Sequence, residues 1–526
     1  MTPDFDLFVI GGGINGCGIA RDAAGRGFSV GLAEMKDLGA ATSSSSTKLF
    51  HGGLRYLEYL EFRLVREALV EREVLLQAMP HIAWPMRFIL PYHKDMRFEA
   101  TTPVSKFLRL AMPWLKGRRP AWLIRLALLI YDTLGGRALL PGTKYVDLRV
   151  SPEGQPLKSD FTDAYEYSDC WVEDARLVVL NARDAEALGA VIMPRVKVIS
   201  ATVSAGVWHL TLEDIGRGKT HHVTARMIVN AAGPWVSDVQ SATLKSNHRQ
   251  SIRLVRGSHI VTKRLFDHEK CYFFQGRDGR IVFAIPYEGD FTLIGTTDVA
   301  HENAEDQAEC TAEERDYLLS FANEYFETPI NADDIVWTYS GVRPLYDDGA
   351  QSATAATRDY VLKVDHGSGA PALTVFGGKI TTYRRLAESA LASIQQIMPE
   401  GTGPWTAKAP LPGGDFRIYE FEALVQSLRR QYAFLDQAWA TRLVRAYGTE
   451  AREVLADARD VPSLGKNFGA TLTESEVTWL MDREFAQKAE DIVWRRSKLG
   501  LRMSIEQITA LDDWMNNRLR SAAAAE

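Results

Sequence analysis

The chain has 526 residues, which at about 150 residues per domain implies two to four domains and a core large enough to need no disulfide staples. Hydrophobic residues make up 46% and charged residues 24%, an ordinary globular balance that argues against extensive disorder. The formal net charge of -6 argues against a dedicated nucleic-acid binder.

The four cysteines, Cys17, Cys170, Cys271 and Cys310, are too far apart for a CxxC or zinc-knuckle spacing and suit a reduced, intracellular setting. No metal site is expected. The opening residues lack the basic and apolar regions of a signal peptide, and no apolar run approaches the roughly 18 residues of a spanning helix. The sequence therefore predicts neither a secreted nor a membrane-spanning protein, and leaves open one that lies on a membrane.

In chain order, Phe5 to Ile10 is a short apolar run that reads as a buried parallel strand. Glycines end it, and a helix pattern follows from Ile14 to about Arg26, closed by Gly27. Phe28 to Glu34 reads as a second strand. Gly11, Gly13 and Gly16, with Gly12, Ile14 and Asn15 between them, thus form a Gly-x-Gly-x-x-Gly turn inside a βαβ unit. Gly11 permits the tight turn, Gly13 lets backbone approach a pyrophosphate at the helix N-terminus, and Gly16 allows close helix–strand packing. Glu34 ends the second strand where a carboxylate accepts from ribose hydroxyls. Dinucleotide binding follows, and at this point FAD and NAD fit equally.

Ala41 to Lys48 is a small, hydroxyl-rich loop, and Tyr56 to Met79 is an amphipathic helix broken by Pro80. Residues 105–134 mix Lys106, Arg109, Lys116, Arg118, Arg119 and Arg125 with Trp114, Trp122 and several leucines, divided by Pro113 and Pro120. This is either an interfacial element or an apolar stretch packed into a domain. Strand-like runs recur at Ala190–Met193, Trp208–Leu212, Met227–Val229, Ile281–Ile285, Phe291–Ile294 and Leu373–Phe376. Two of them end in small residues, Ala231-Ala232-Gly233-Pro234-Trp235 and Gly377-Gly378-Lys379. Each suits either a nucleotide contact or an ordinary structural turn. Pro410 to Asp415 reads as a linker into a helix-forming C-terminal region.

Taken together, GGGINGCGIARDAAGRG, ATSSSSTKLFHGGLRYLE, EYSDCWVEDARL, VNAAGPW, RGSHIV, IVFAIPY, IGTTD, DDIVWTYSGVRPL, TRDY, FGGKITTYRRLAE and EDIVWRRSKLGL resemble the FAD-dependent glycerol-3-phosphate dehydrogenases of the D-amino-acid-oxidase superfamily. The likeness runs from the first strand to about residue 505. It implies a mixed α/β (α+β overall) fold. The FAD-binding Rossmann-type domain comprises about 1–90, 160–235 and 340–400. An interleaved antiparallel-sheet substrate domain comprises about 91–159 and 236–339, and a C-terminal helical cap covers 401–526. It also implies FAD as cofactor, sn-glycerol 3-phosphate as substrate and a membrane quinone as electron acceptor. The enzyme would be cytoplasmic and attached peripherally to the bilayer surface, and a homodimer is compatible with the resemblance. An oxidase using oxygen, an amine or amino-acid oxidase and a non-enzymatic flavin binder are the alternatives. Between Pro91 and Pro120 the chain is longer than the shorter bacterial members, around Arg97 to Gly117.

The resemblance assigns the substrate phosphate to Arg55, Arg343 and Arg358, whose planar forks suit it, with Tyr56 in the same pocket. Lys379, at a helix start that the helix dipole makes unfavourable for a cation, contacts either substrate oxygen or the reduced flavin. Candidate bases for the alcohol proton are His259 and His51, the latter alternatively a flavin contact. A transfer to water assisted by Arg343 is the third option. Along the cofactor the expected contacts are Gly11, Gly12, Gly13, Ile14, Asn15, Gly16, Glu34, Thr42, Ser43, Ser46, Thr47, Lys48, His51, Gly52, Val196, Ala232, Gly233, Trp235, Gly377, Gly378, Lys379, Thr381 and Thr382.

Overall fold

The computed structural model describes residues 2–93, 96, 102–112, 120–136, 139–244, 252–276, 279–347, 359–367 and 369–525. The first strand, β1 (Phe5–Ile10), alternates its burial between two cores: Leu7 and Val9 join one apolar cluster, Phe8 and Ile10 another. A strand covered on both faces needs this continuous apolar run. Helix α1 (Ile14–Gly25) and strand β2 (Val30–Glu34) complete the βαβ unit, each within two residues of the sequence reading.

β1 lies between β2 and the strand Lys219–Asn230, parallel to both, in an eight-stranded sheet. Ala372–Phe376 extends the parallel set on one side and Val191–Pro194 on the other. The small face of α1 has a mechanical reason. A Cβ on Gly16 would stand 1.9 Å from the Gly11 carbonyl oxygen, and one on Gly18 2.9 Å from the Tyr383 ring. α1 therefore packs directly on β1 and on the helices Asp174–Ala187 and Tyr383–Gln395.

A second, ten-stranded and mostly antiparallel sheet stands beside the first. Four of its long strands, Ala83–Tyr92, Asp163–Val172, Ile252–Lys263 and Ile335–Tyr346, were not among the sequence-predicted strands. They carry Pro85, Pro91, Gly257 and Pro344 and many charged residues, so their extended state is set by long-range pairing rather than by local pattern. The predicted helix from Tyr56 starts later, at Phe62, because a left-handed Leu60 (φ 63°) separates it from a 3-10 turn over Leu54–Tyr59. Residues 105–134 resolve into the helices Pro103–Ala111 and Ala121–Leu134, the second beginning directly after Pro120. Arg97, Lys116, Gly117, Arg118 and Arg119 lie outside the described residues.

From Val425 to Met515 the chain builds its own apolar core, mainly of helices with one short hairpin, Asn467–Gly469 and Leu472–Thr473. An ionic seam joins it to the nucleotide sheet. Arg496 donates to both Asp37 oxygens at 2.6 and 2.8 Å, Arg495 to Asp37 at 2.6 Å, and Arg195 to Asp491 at 2.8 Å. Trp494 stacks on Trp337, ring centroids 4.5 Å apart. The Pro410–Asp415 segment, read as a linker, is itself packed: Leu411 N–H donates to the Ala78 carbonyl at 2.9 Å, and Leu411, Gly413 and Gly414 are buried.

Candidate functional site

A cavity of about 680 Å3 lies between the two sheets, walled by Gly11, Asn15 and Glu34 from the first and by Phe283, Thr296 and Arg343 from the second. Its nucleotide end is backbone. The left-handed Gly11 (φ 109°) turns the chain from β1 into α1, and a Cβ there would meet the Ala231 carbonyl at 2.6 Å. The first turn of α1 presents helix N-terminal amides at this wall, the arrangement that holds anions. One of them is capped from a distance, since Ile14 N–H donates to Ser43 Oγ at 3.0 Å.

Glu34 accepts from Gly12 N–H at 2.7 Å and from Lys36 N–H at 2.8 Å. Burial raises its carboxyl pKa against the pull of these two amides. Asn15 ties the two glycine junctions together: its Nδ2 donates to the Gly377 carbonyl at 3.1 Å, while its buried Oδ1 has no partner. Gly377 and Gly378 are both left-handed, with φ of 67° and 94°. The glycine cradle, the helix N-terminus, the Glu34 carboxylate and the orphaned Asn15 oxygen fit FAD along this wall.

Of the expected contacts, Ile14, Gly13, Thr42, Ser43, Ser46, Thr47, His51, Val196, Ala232, Gly233, Trp235, Lys379 and Thr381 also line the cavity, as do Arg55 and Tyr56. Several hydroxyls in the Thr42–Thr47 loop are already engaged within the protein. Thr42 donates to the Val342 carbonyl at 2.6 Å, and Ser46 donates to Asp174 at 2.8 Å.

Five expected contacts and one candidate base do not line it. Gly12 acts through Glu34, and Gly16 through helix packing. Lys48 is wholly buried, its Nζ paired to Asp174 Oδ1 at 2.7 Å, because an unpaired buried ammonium would be costly. Gly52 and Thr382 are buried behind the wall. His259 stands behind Thr47, its Nε2 3.0 Å from Thr47 Oγ1 and its ring stacked on Tyr339 at 4.6 Å. Burial, with the Arg343 and Lys48 cations nearby, drives its pKa well down and keeps it neutral. Arg358 lies outside the described residues.

The other end of the cavity is built from side chains. Arg343 is held by an ion pair to Asp298 and by Nη2 donating to Thr296 Oγ1 at 3.2 Å. Lys379 Nζ sits 3.8 Å from the centroid of the Tyr56 ring, a cation–π contact that fixes both. Arg280 and Asp169 join this wall, as do Asp298 and Thr296. Sequence reasoning assigned none of these four a role. The signal was there for two of them, since IGTTD ends an apolar strand in polar residues.

Two family models match the chain. FAD dependent oxidoreductase (DAO) covers residues 6–384, and the C-terminal domain of alpha-glycerophosphate oxidase covers 404–521. The chain is 47% identical to D-erythritol 1-phosphate dehydrogenase of Brucella abortus, over 97% of this chain and 98% of that protein. It is 46% identical to glycerol-3-phosphate dehydrogenase of Pseudomonas aeruginosa, over 98% and 96%. The crystal structure of glycerol-3-phosphate dehydrogenase from Bacillus halodurans complexed with FAD superposes with a TM-score of 0.72 at 25% identity, covering 98% of this chain and 95% of that one. With its glycine-built nucleotide wall, its two sheets and its C-terminal helical core, the chain belongs to the FAD-dependent oxidoreductase family of the DAO type.

Proposed function

We propose that the protein oxidises sn-glycerol 3-phosphate to dihydroxyacetone phosphate and hands the electrons to a membrane quinone. The observation that carries this reading is the cationic end of the cavity. Arg343, Arg55, Arg280 and Lys379 share a wall with the nucleotide groove, and several cations at one end suit a phosphate dianion better than a lone carboxylate. An amine or amino-acid oxidase needs only one such arginine and an apolar pocket. The dehydrogenase names of relatives at 46–47% identity favour this activity over an oxygen-using oxidase.

FAD, when bound, supplies a flavin ring that accepts a hydride. The chain's own residues do the rest. The Gly11–Gly16 turn and Glu34 hold the nucleotide. Arg343, oriented by Asp298 and Thr296, binds and orients the phosphate substrate. Lys379 and Tyr56 fix the substrate's position beside the flavin. The alcohol proton leaves to a base at the cavity wall, and that role falls to His51, which lines the cavity, whereas His259 is buried behind Thr47.

A second reading concerns the substrate alone. The Brucella abortus relative is named for D-erythritol 1-phosphate, which presents the same phosphate on a longer polyol. Rates of anaerobic flavin reduction by the two compounds separate the readings. A higher kcat/KM for glycerol 3-phosphate is expected, and a reversed order supports the four-carbon substrate.

Membrane attachment is part of the proposal. No helix of the described residues is long and apolar enough to cross a membrane. Helix Ala121–Leu134 buries Ile124, Leu128 and Tyr131 and exposes Trp122 (52%), Leu126 and Leu129 (54%) beside the exposed Arg125. Leu60 and Phe62, at the turn and helix packed against this helix, and Leu110, on the helix packed against the Leu54–Tyr59 turn, are exposed as well. Such a patch with flanking cations suits an anionic lipid surface. Replacing Trp122, Leu126 and Leu129 together by Ser should abolish co-flotation with anionic liposomes, and unchanged flotation would remove this face from the contact.

A further inference from the structure

The strand Asp163–Val172 turns an aromatic face toward the core, with Tyr165, Tyr167 and Trp171 in one apolar cluster. By strand alternation Asp169 shares that face. A buried carboxylate costs several kcal/mol unless it is paired and hydrogen-bonded. Asp169 is satisfied on two sides: Arg72 Nη1 reaches it at 2.6 Å, and the Tyr131 hydroxyl lies 2.9 Å from both of its oxygens. The same hydroxyl accepts from Gly52 N–H at 2.7 Å. A polar chain thus runs from Arg72 through Asp169 and Tyr131 to the backbone of the turn after His51. Asp169 itself forms part of the cavity wall.

That turn is tightly seated. A Cβ on Gly52 would stand 2.6 Å from Leu69 and 2.9 Å from the Tyr131 ring, and Gly53 is left-handed at φ 72°. A second backbone fastening, His51 N–H to Thr381 Oγ1, is longer at 3.4 Å. The turn in turn sets the next residues: Tyr56 N–H donates to the Gly53 carbonyl at 2.8 Å, and the Tyr56 ring carries the Lys379 ammonium. A buried ion pair adds little net stability compared with apolar packing. Its use here is geometric, since it gives Tyr131 one fixed acceptor and so gives Gly52 one fixed position.

We propose that Tyr131 and Asp169, backed by Arg72, are positioning residues that hold the Gly52–Gly53 turn, and through it Arg55, Tyr56 and Lys379, at the reacting end of the cavity. The proposal rests on reading that end as the phosphate-substrate site.

The test is Tyr131→Phe in the full-length, FAD-loaded protein, with Asp169→Asn as the second variant. Both should keep stoichiometric FAD. Tyr131→Phe should lower kcat/KM for sn-glycerol 3-phosphate about tenfold or more, within the roughly hundredfold that a misplacement of about 1 Å at a reacting centre can cost. Flavin reduction by dithionite should be unchanged, and the visible circular dichroism of the bound FAD should shift. Asp169→Asn should change the same quantities in the same direction, less strongly. Kinetics within twofold of wild type, with superimposable flavin dichroism, would overturn the proposal even if Tm falls. If Tyr131→Phe does not fold, Asp169→Asn decides by the same readouts. If the wild type is not reduced by the phosphate substrate, the functional reading fails, and the flavin dichroism still decides the positioning role.

Discussion

The two ends of the cavity are made of different materials. At the nucleotide end the contacts are backbone: glycines that clear space, a helix N-terminus, and one carboxylate held by two amides. At the reacting end they are long cationic side chains, each fixed by a partner, Arg343 by Asp298 and Thr296 and Lys379 by Tyr56. The backbone turn tolerates almost no substitution at Gly11 and Gly16, where an added Cβ would meet main chain at 2.6 and 1.9 Å. A side-chain site fails by degrees, losing one charge-assisted contact at a time.

This contrast orders the expected effects. Gly16→Ala places a methyl 1.9 Å from the Gly11 carbonyl oxygen, so the turn must open. We expect purified protein without FAD and without activity, measured as the flavin-to-protein ratio. A near-stoichiometric ratio would break the contrast at its strongest point. Arg343→Ala should keep FAD but lower kcat/KM for the phosphate substrate by about 10- to 100-fold, the loss of a charge-assisted contact of about 1.5–3 kcal/mol. Steady-state kinetics on FAD-replete protein checks this, and near-normal values would remove Arg343 from the site.

The seam between the nucleotide sheet and the C-terminal core sharpens the comparison, because its charges serve cohesion. Asp37→Ala leaves the buried Arg496 without its carboxylate, while Arg495 keeps Asp491, and should cost about 3–5 kcal/mol in denaturant unfolding. FAD-replete molecules should keep their kcat.

The smallest effect is the pH dependence of a further ion pair across these two regions, Arg176 of the helix Asp174–Ala187 with Glu484 of the C-terminal region. Burial alone would raise the Glu484 carboxyl, but the Arg176 and Arg183 guanidiniums outweigh it and hold its pKa below the usual 4.5. A depressed folded-state pKa contributes stability that is complete above about 4.5 and is lost as the pH falls through the folded value. The difference in unfolding midpoint between wild type and Glu484→Gln should therefore be constant from pH 7 to pH 5 and shrink below about 4.5. A difference at pH 3 as large as at pH 7 would contradict the ionised pairing.

The backbone end was also the more legible in the sequence. Gly11, Gly13, Gly16 and Glu34 announce themselves because local chemistry permits few alternatives at such positions, and β1, α1 and β2 followed to within two residues. The resemblance supplied Arg343, Arg55 and Lys379. The Asp298 anchor of Arg343 and the buried Asp169 pairing do not show in the sequence, since a single acid looks the same there whether it pairs an arginine or faces water. The placement of His259 was hidden for a related reason. Its motif is close to the site in sequence pattern, but the pairing of Ile252–Lys263 with Ile335–Tyr346 stacks its ring on Tyr339, behind Thr47. The long strands of the second sheet were hidden because their pairing is non-local. The ionic seam was hidden because an arginine that pairs hundreds of residues away looks like a surface charge.

The central claim is that the cationic end of the cavity delivers a polyol phosphate to FAD. Anaerobic addition of sn-glycerol 3-phosphate to the FAD-loaded protein tests it most directly. The account predicts loss of the oxidised-flavin absorbance near ~450 nm. Flavin that stays oxidised with this substrate would contradict it.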